Sequence, residues 1–318
     1  MKFDRIIKAT KLHLKVAKIF GIRAGYIDFK HRLLFRNNRR VEKEYNDYFI
    51  GVIEEEFSEI ITSYSRMDVN ISELTTIDTN SPIWIFWWQG IDAAPELVRC
   101  CYKSIVENSG THPVIVIDKT NISMYASISN EINSLMENGK ISITFYSDIL
   151  RCNLLYNHGG VWLDSTVLMT GNISKWIDHK VFYTIKHNQF SNYHICEGKW
   201  TGFCLSSGEH NPLFKYMCDM FDAFLEKYDF VPMYLLIDVF LSVGHKNIPF
   251  IKQMIREVPI NNIKVFELQG LLNQPEDIEG ISDVFENQDF HKLSYKKPLV
   301  KEINHHETLW GSLAFKYK

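Results

Sequence analysis

The stretch SDILRCNLLYNHGGVWLDSTV, residues 147–167, decides the fold. Ser147 suits a helix N-cap, where its hydroxyl accepts one of the backbone N–H groups that a first turn leaves unbonded. Asp148 then falls in that turn, where the helix dipole favours negative charge. Leu150, Leu154 and Leu155 give one apolar face at helical spacing. Gly159 and Gly160 supply the left-handed backbone that ends a helix and turns the chain. Val161, Trp162 and Leu163 read as a buried strand, and Asp164 sets a carboxylate at its end. Asp148 and Arg151 stand three apart and share a helix face. Alone they would be an ordinary surface ion pair; their functional reading rests on the whole stretch.

Upstream, PIWIFWWQG opens at Pro82. Residues 83–88 form an apolar run too short for a helix, closed by Gly90, and read as a buried strand. A helix is predicted over 95–108, a strand over 114–118 ending in Asp118, and more helix over 124–138. A further strand is predicted over 141–145. Strand–helix alternation at this spacing predicts a mixed, mostly parallel sheet flanked by helices. Ligands of such sheets bind beyond the carboxyl ends of the strands. Gly90, Asp118 and Asp164 all fall there. A strand alternates sides, so at least one of Trp84, Phe86 and Trp88 must fill the core.

The whole chain has 318 residues, 46% hydrophobic and 23% charged, enough for a full core or two unequal domains. Six cysteines without a C-x-x-C pair read as reduced core thiols of a cytosolic protein. No signal-peptide pattern is expected, and no apolar run reaches the roughly 20 residues of a membrane span. Net charge is −3, yet residues 1–40 carry twelve Lys/Arg against Asp4 and Asp28, ten net positive charges on an otherwise acidic chain. Leu12, Leu14, Val16, Ile19 and Phe20 interleave with these cations in a predicted helix. Such a helix can lie on anionic lipid at the inner face of a membrane, or pack on the main body or another copy. Nucleic acid is not expected, since no recognition module accompanies the charge. Residues 1–78 therefore read as a basic, then acidic, helical extension, and 79–318 as the α/β domain.

Downstream, 182–186 and 200–206 read as strands, with Trp200, Thr201 and Gly202 near a pocket. Asn211 begins an amphipathic helix running to Leu225. Residues 234–242 form an apolar helix with one acid, Asp238. A lone acid there is costly unless it is paired or lines a cavity. It either belongs to a structural hydrogen-bond network or faces an acceptor. Residues 259–280 read as irregular, and NHHETLW (304–310) closes the chain.

The pattern S-D-I-L-R, then G-G-V-W-L-D-S-T, resembles the sugar-nucleotide-dependent glycosyltransferases with a DXD-type site. It is most similar to the capsular polysaccharide synthesis glycosyltransferases. Their relatives include the catalytic domains of large clostridial toxins and the initiating mannosyltransferases of yeast. The resemblance covers roughly residues 80–318 and implies a GT-A-type, Rossmann-like fold. It implies a retaining hexosyltransferase that uses a nucleotide sugar, UDP-linked, and a lipid-linked capsular or surface glycan as acceptor. In these families an aromatic at the end of the first strand stacks on the base, which points to Trp87 or Trp88, beside Gln89. Asp118, Gly160 and the Asp148/Arg151 pair fall among the donor-binding positions, Asp148 accepting from sugar hydroxyls and Arg151 donating. The C-terminal segment is similar to the toxin lid, where a hydroxyl two before a Trp meets the metal and the Trp meets the diphosphate; Thr308 and Trp310 have that spacing. The competing reading is a C-terminal helix with exposed histidines.

Breaking an anomeric C–O bond to a diphosphate builds charge on the leaving group, which Mn²⁺ or Mg²⁺ on carboxylates neutralises. The expected ligands are Asp164, Thr166, Thr308 and one of the 305–307 side chains, such as His305. Thr166 stands where most DXD sites carry a second acid, and a hydroxyl binds metal more weakly. D-A/S-T is usual among the capsular relatives that the resemblance points to, so the departure is not read as inactivation, but it motivates the alternative, a non-catalytic sugar-nucleotide-binding or scaffolding subunit. A toxin-like enzyme acting on host protein lacks support from any delivery segment.

Overall fold

The computed structural model describes residues 2–35, 38–187, 194–276, 281–285 and 288–318, with side chains from residue 10 onward. Its centre is a five-stranded sheet in the order β2-β1-β3-β6-β5, with β1 Ile83–Phe86, β2 Val114–Ile117, β3 Gly160–Leu163, β5 Phe182–Thr184 and β6 Cys204–Ser207. β1 runs parallel to β2 and β3, whereas β6 is antiparallel to both β3 and β5. The architecture is the expected α/β one, a mixed sheet flanked by helices with a helical N-terminal segment. A separate antiparallel ladder joins β4 (Val167–Met169) to β7 (Phe290–Lys292).

The predicted strand at 141–145 is instead the start of a helix, Ile143–His158. Ser142, not Ser147, is its N-cap, and its hydroxyl accepts from Phe145 N at 3.1 Å. The apolar alternation of 141–145 imitates a strand. Burial, however, falls on Ile141, Phe145 and Ile149, four apart, so the helical period wins. Ser147 is left inside the helix, donating to Thr144 O at 2.6 Å. The predicted helix at 124–138 is two pieces, Ile122–Tyr125 and Asn130–Glu137, because the Ser129 hydroxyl starts a new helix by accepting from Ile132 N. Of the irregular segment 259–280, residues 277–280 lie outside the described residues, and the rest holds a short helical turn, Leu268–Leu271.

Gly159 and Gly160 make the turn from helix to strand. Gly160 has φ +90°, and a Cβ there would stand 2.2 Å from Pro82 O. That carbonyl accepts from Val161 N at 2.8 Å, so β3 can enter the sheet beside β1 only without a side chain at 160.

The N-terminal segment has no core of its own. Tyr45, Phe49 and Ile53 of the helix Arg39–Glu56, with Phe57 and Ile61, share one apolar cluster with the sheet strands. The compositional boundary at residue 78 is thus crossed by packing. Asp28, fully buried, accepts from Arg32 Nε at 2.7 Å, and Arg32 also reaches Tyr45 and Pro232 O. This ties the first helix, Lys2–Phe29, to the main body. Of the twelve N-terminal cations, Arg36 and the side chains of residues 2–9 lie outside the described residues. No described helix is long and apolar enough to cross a membrane. All six cysteines are free, four of them buried.

Two alanine substitutions separate backbone strain from steric conflict. Gly139 also has a positive φ, +67°, but nothing lies within 4 Å of its missing Cβ. Gly139→Ala should cost about 1 kcal/mol in denaturant melts, and Gly160→Ala about 3 kcal/mol or more. Equal losses would show that the close approach to Pro82 does not matter.

Candidate active site

A cavity of about 640 Å³ opens beyond the carboxyl ends of β1 and β3. The turn after β1 contributes Trp87, Trp88 and Gln89, and the helix Ile143–His158 contributes Asp148 and Arg151. Asp164 and Thr166 come from the loop between β3 and β4. The loop before β6 adds Trp200, Thr201 and Gly202, and Asp238 comes from the helix Leu236–Asn247.

Arg151 organises the charges. Its Nη1 lies 3.0 Å from Asp148 Oδ1 and its Nη2 3.1 Å from Asp164 Oδ1, while its guanidinium stacks 4.9 Å from the Trp162 ring centroid. Asp164 Oδ1 also accepts from Trp162 Nε1 at 2.9 Å, and Oδ2 from Lys292 Nζ at 2.7 Å. The same ammonium donates to Thr166 Oγ1 at 2.8 Å. Asp238 accepts from Trp200 Nε1 at 2.8 Å, so it is both paired and cavity-lining. Two buried atoms on this wall, Arg151 Nε and Thr201 Oγ1, have no hydrogen-bond partner among the described residues. Leaving such a group unpaired costs roughly 1–3 kcal/mol, which a polar ligand would offset. A Cβ on Gly202 would stand 3.2 Å from Arg151 Nη1, so the glycine lets this loop close on the guanidinium.

The three carboxylates are shifted unequally, for physical reasons. Burial pushes Asp148 up to about 7, because Arg151 is shared with Asp164 and the charges of Asp164 and Asp238 add to the penalty. Burial also raises Asp238, against the Trp200 hydrogen bond. Burial would raise Asp164 too, but Lys292 and Arg151 outweigh it and hold it at about 2. Asp164 is the more open of the ion-paired acids, its side chain 31% exposed against 8% for Asp148.

The cavity brings together Trp87, Trp88, Gln89, Asp148, Arg151, Asp164 and Thr166. The other expected positions lie elsewhere. Asp118 folds back into the turn after β2, where its Oδ1 accepts from Thr120 N and Oγ1 at 2.7 and 2.6 Å. Gly160 serves the strand entry described above. Thr308 is fully buried as an N-cap: its Oγ1 accepts from Gly311 N and donates to Val300 O. Trp310 lies in a second apolar cluster with Leu97, Leu168 and Leu313. His305 stands at the tip of the exposed hairpin Glu302–Ile303/His306–Glu307, its side chain 99% exposed. Neither Thr308 nor Trp310 lines the cavity among the described residues.

The expected metal set is split by the same facts. Asp164 and Thr166 are together, His305 and Thr308 are not, and no group of three or more His, Cys, Asp or Glu is placed to hold an ion among the described residues. One carboxylate, already bonded through both oxygens, and one alcohol do not fit a divalent site. The residue that sequence reasoning missed is Lys292. It lies in a three-residue strand with no periodic signal, and reaches the site because β7 pairs with β4 in the register Val167↔Lys292.

The Asp148 shift sets a pH test. Its folded value lies above its ordinary 3.8, so between 3.8 and about 7 the folded state holds a proton that the unfolded state has lost. Stability should therefore fall as pH rises through that window. Denaturant melts at pH 4–8 should show a shallower fall for Asp148→Asn than for wild type. Parallel curves would place the Asp148 value near that of an ordinary carboxylate.

Comparison with curated proteins finds no match. Among solved structures, the apo form of WbbM, a bifunctional glycosyltransferase, is similar at 10% identity and a TM-score of 0.36. The alignment covers 79% of this chain and 53% of that one, so the chain spans about half of that protein's length. The sequence matches the family model described as capsular polysaccharide synthesis protein over residues 30–312. With most of its length matched, the chain belongs to the capsular polysaccharide synthesis protein family.

Proposed function

We propose that the chain is a retaining glycosyltransferase that moves a hexose from a UDP-sugar to a lipid-linked capsular or surface glycan. The observation that carries this reading is the Asp148–Arg151–Asp164 network beside Trp87 and Trp88 at the carboxyl ends of parallel strands. A ring of Trp87 or Trp88 stacks on the base. Asp164, fully ionised, accepts from the ribose hydroxyls. Asp148 accepts from hydroxyls of the donor sugar, and Arg151 Nε and Thr201 Oγ1 donate to its oxygens. In transfer, the anomeric C–O bond breaks with its electron pair going to the diphosphate. The acceptor hydroxyl oxygen bonds to the anomeric carbon, and its proton goes to the departing phosphate, so no protein base is required.

The site tolerates a non-catalytic reading, a sugar-nucleotide-binding subunit, because Thr166 stands in place of an acid. UDP release from a panel of UDP-sugars separates the two. Wild type should release UDP from at least one donor, and Asp164→Ala should lower turnover by about a hundredfold or more while circular dichroism shows an intact fold. Wild-type turnover in that variant would sink the assignment. No release from any donor, with nucleotide still bound, would favour the binding subunit.

A lipid-linked acceptor fits a protein that docks at the inner membrane face. The first helix exposes Leu14, Ile22 and Tyr26, at 59%, 88% and 61%, among the exposed cations Lys11, Lys18 and Arg23. Apolar side chains among cations bind anionic interfaces. The double variant Leu14→Glu/Ile22→Glu should lose co-sedimentation with phosphatidylglycerol vesicles and keep UDP release. Unchanged sedimentation would refute membrane docking through this helix.

A further inference from the structure

Lys292 stands where the resemblance expects a metal. Its ammonium bridges Asp164 Oδ2, at 2.7 Å, and Thr166 Oγ1, at 2.8 Å, the two cavity side chains of the expected ligand set. We propose that this ammonium is the resident cation of the site, that it takes the charge of the leaving diphosphate, and that transfer needs no divalent ion. The inference rests on the glycosyltransferase reading above for its substrate, and on geometry for its location.

Most of the roughly four acceptor sites of the Asp164 carboxylate are already engaged. Asp164 Oδ1 is held by Arg151 and Trp162, and Oδ2 by Lys292. A Mg²⁺ or Mn²⁺ ion wants several oxygen ligands at about 2.1 Å, most of them protein, water or phosphate oxygens on an acidic site. To sit on Asp164 Oδ2 it would have to displace the ammonium or share the oxygen with it, against like-charge repulsion. Thr166, the position that usually supplies the second acid, is an alcohol. An alcohol is a poor ligand for such an ion and a good hydrogen-bond acceptor for an ammonium. The one departure of this sequence from the DXD pattern and the placement of Lys292 thus agree with each other.

Lys292 is also held in place by backbone. β7 pairs with β4 so that Lys292 lies opposite Val167, the residue after Thr166. Leu293 N donates to Thr166 O at 2.9 Å, and Lys292 N donates to Val265 O at 2.7 Å. The ammonium sits 5.0 Å from the Phe203 ring centroid. An ammonium carries three N–H donors; two are engaged with Asp164 and Thr166, which leaves one for a phosphate oxygen. As the anomeric C–O bond breaks, the electron pair moves to that phosphate, where Lys292 and the nearby Arg151 meet the negative charge. A fixed cation on the departing oxygens supplies the stabilisation that a metal supplies elsewhere.

The test is calorimetric binding of UDP, GDP and uridine to the full chain in excess chelator, then with 5 mM Mn²⁺, followed by UDP release under both conditions. Wild type should bind UDP or GDP equally with and without Mn²⁺, and release should change by less than about twofold in chelator. Lys292→Met should weaken diphosphate binding about tenfold or more, weaken uridine binding by much less than that, and cut release further. Lys292→Arg, which keeps the positive charge and avoids an uncompensated Asp164, should recover part of both; melting curves check that each variant folds. Diphosphate binding or release that requires Mn²⁺ in wild type would overturn the inference, as would diphosphate binding by Lys292→Met at wild-type strength. Failure to bind either diphosphate under both conditions would overturn it as well. Metal-independent, Lys292-dependent binding without turnover of any donor would sustain the cation site and reject the transferase reading, so the two failures are distinguishable.

Discussion

A single buried guanidinium holds the site together. Arg151 bridges two carboxylates that approach from different directions, Asp148 on its own helix and Asp164 at the end of β3. Two acids sharing one guanidinium, one of them buried, would repel each other without it. The planar fork of arginine meets both at once, and Trp162 covers its face. The pair is unequal, since Lys292 gives Asp164 a second cation while Asp148 has only its share of Arg151. The result is that Asp164 is held below, and Asp148 pushed above, the usual carboxylate range. Removing a partner from such a network typically costs about 3–5 kcal/mol, because a buried charge is left uncompensated.

The network depends in turn on how the chain enters and leaves the sheet. Gly159 and Gly160 allow a helix to pass into a central strand with no intervening loop, which fixes Asp148 and Arg151 relative to Asp164. Because β1 and β3 are parallel neighbours, their ends deliver Trp87, Trp88 and Asp164 to one edge. The β4/β7 ladder then brings a cation from 128 residues away onto the same carboxylate. Each side chain of the site is mounted on regular structure or within a few residues of it.

The readings that succeeded and failed differ in range. The helix–glycine–strand–acid unit was legible because capping, periodicity and left-handed glycine geometry are all decided within about twenty residues. The strand at 141–145 was misread on the same local evidence, since an alternating run of five fits either period until the burial of Ile149 extends the helical one. The expected lid positions, Thr308 and Trp310, lie away from the cavity. The spacing of Thr308 and Trp310 is real, but the Thr308 hydroxyl caps the last helix, and Trp310 packs in the cluster around Leu97 and Leu168. His305, at the tip of the hairpin, is left in solvent.

By itself the sequence determined the α/β class, the family resemblance, and the cluster of Asp148, Arg151, Asp164 and the paired tryptophans at the strand ends. Those follow from short-range sterics and from the rule that a parallel sheet presents its carboxyl ends on one side. Only the tertiary structure decided which cation meets Asp164 and Thr166, that the N-terminal helices share the main core, and that the C-terminal segment turns away from the cavity. Each of these is a contact between segments far apart in the chain. Pairing between distant segments is selected by total burial and hydrogen-bond satisfaction across the whole fold, which no local pattern of residues records.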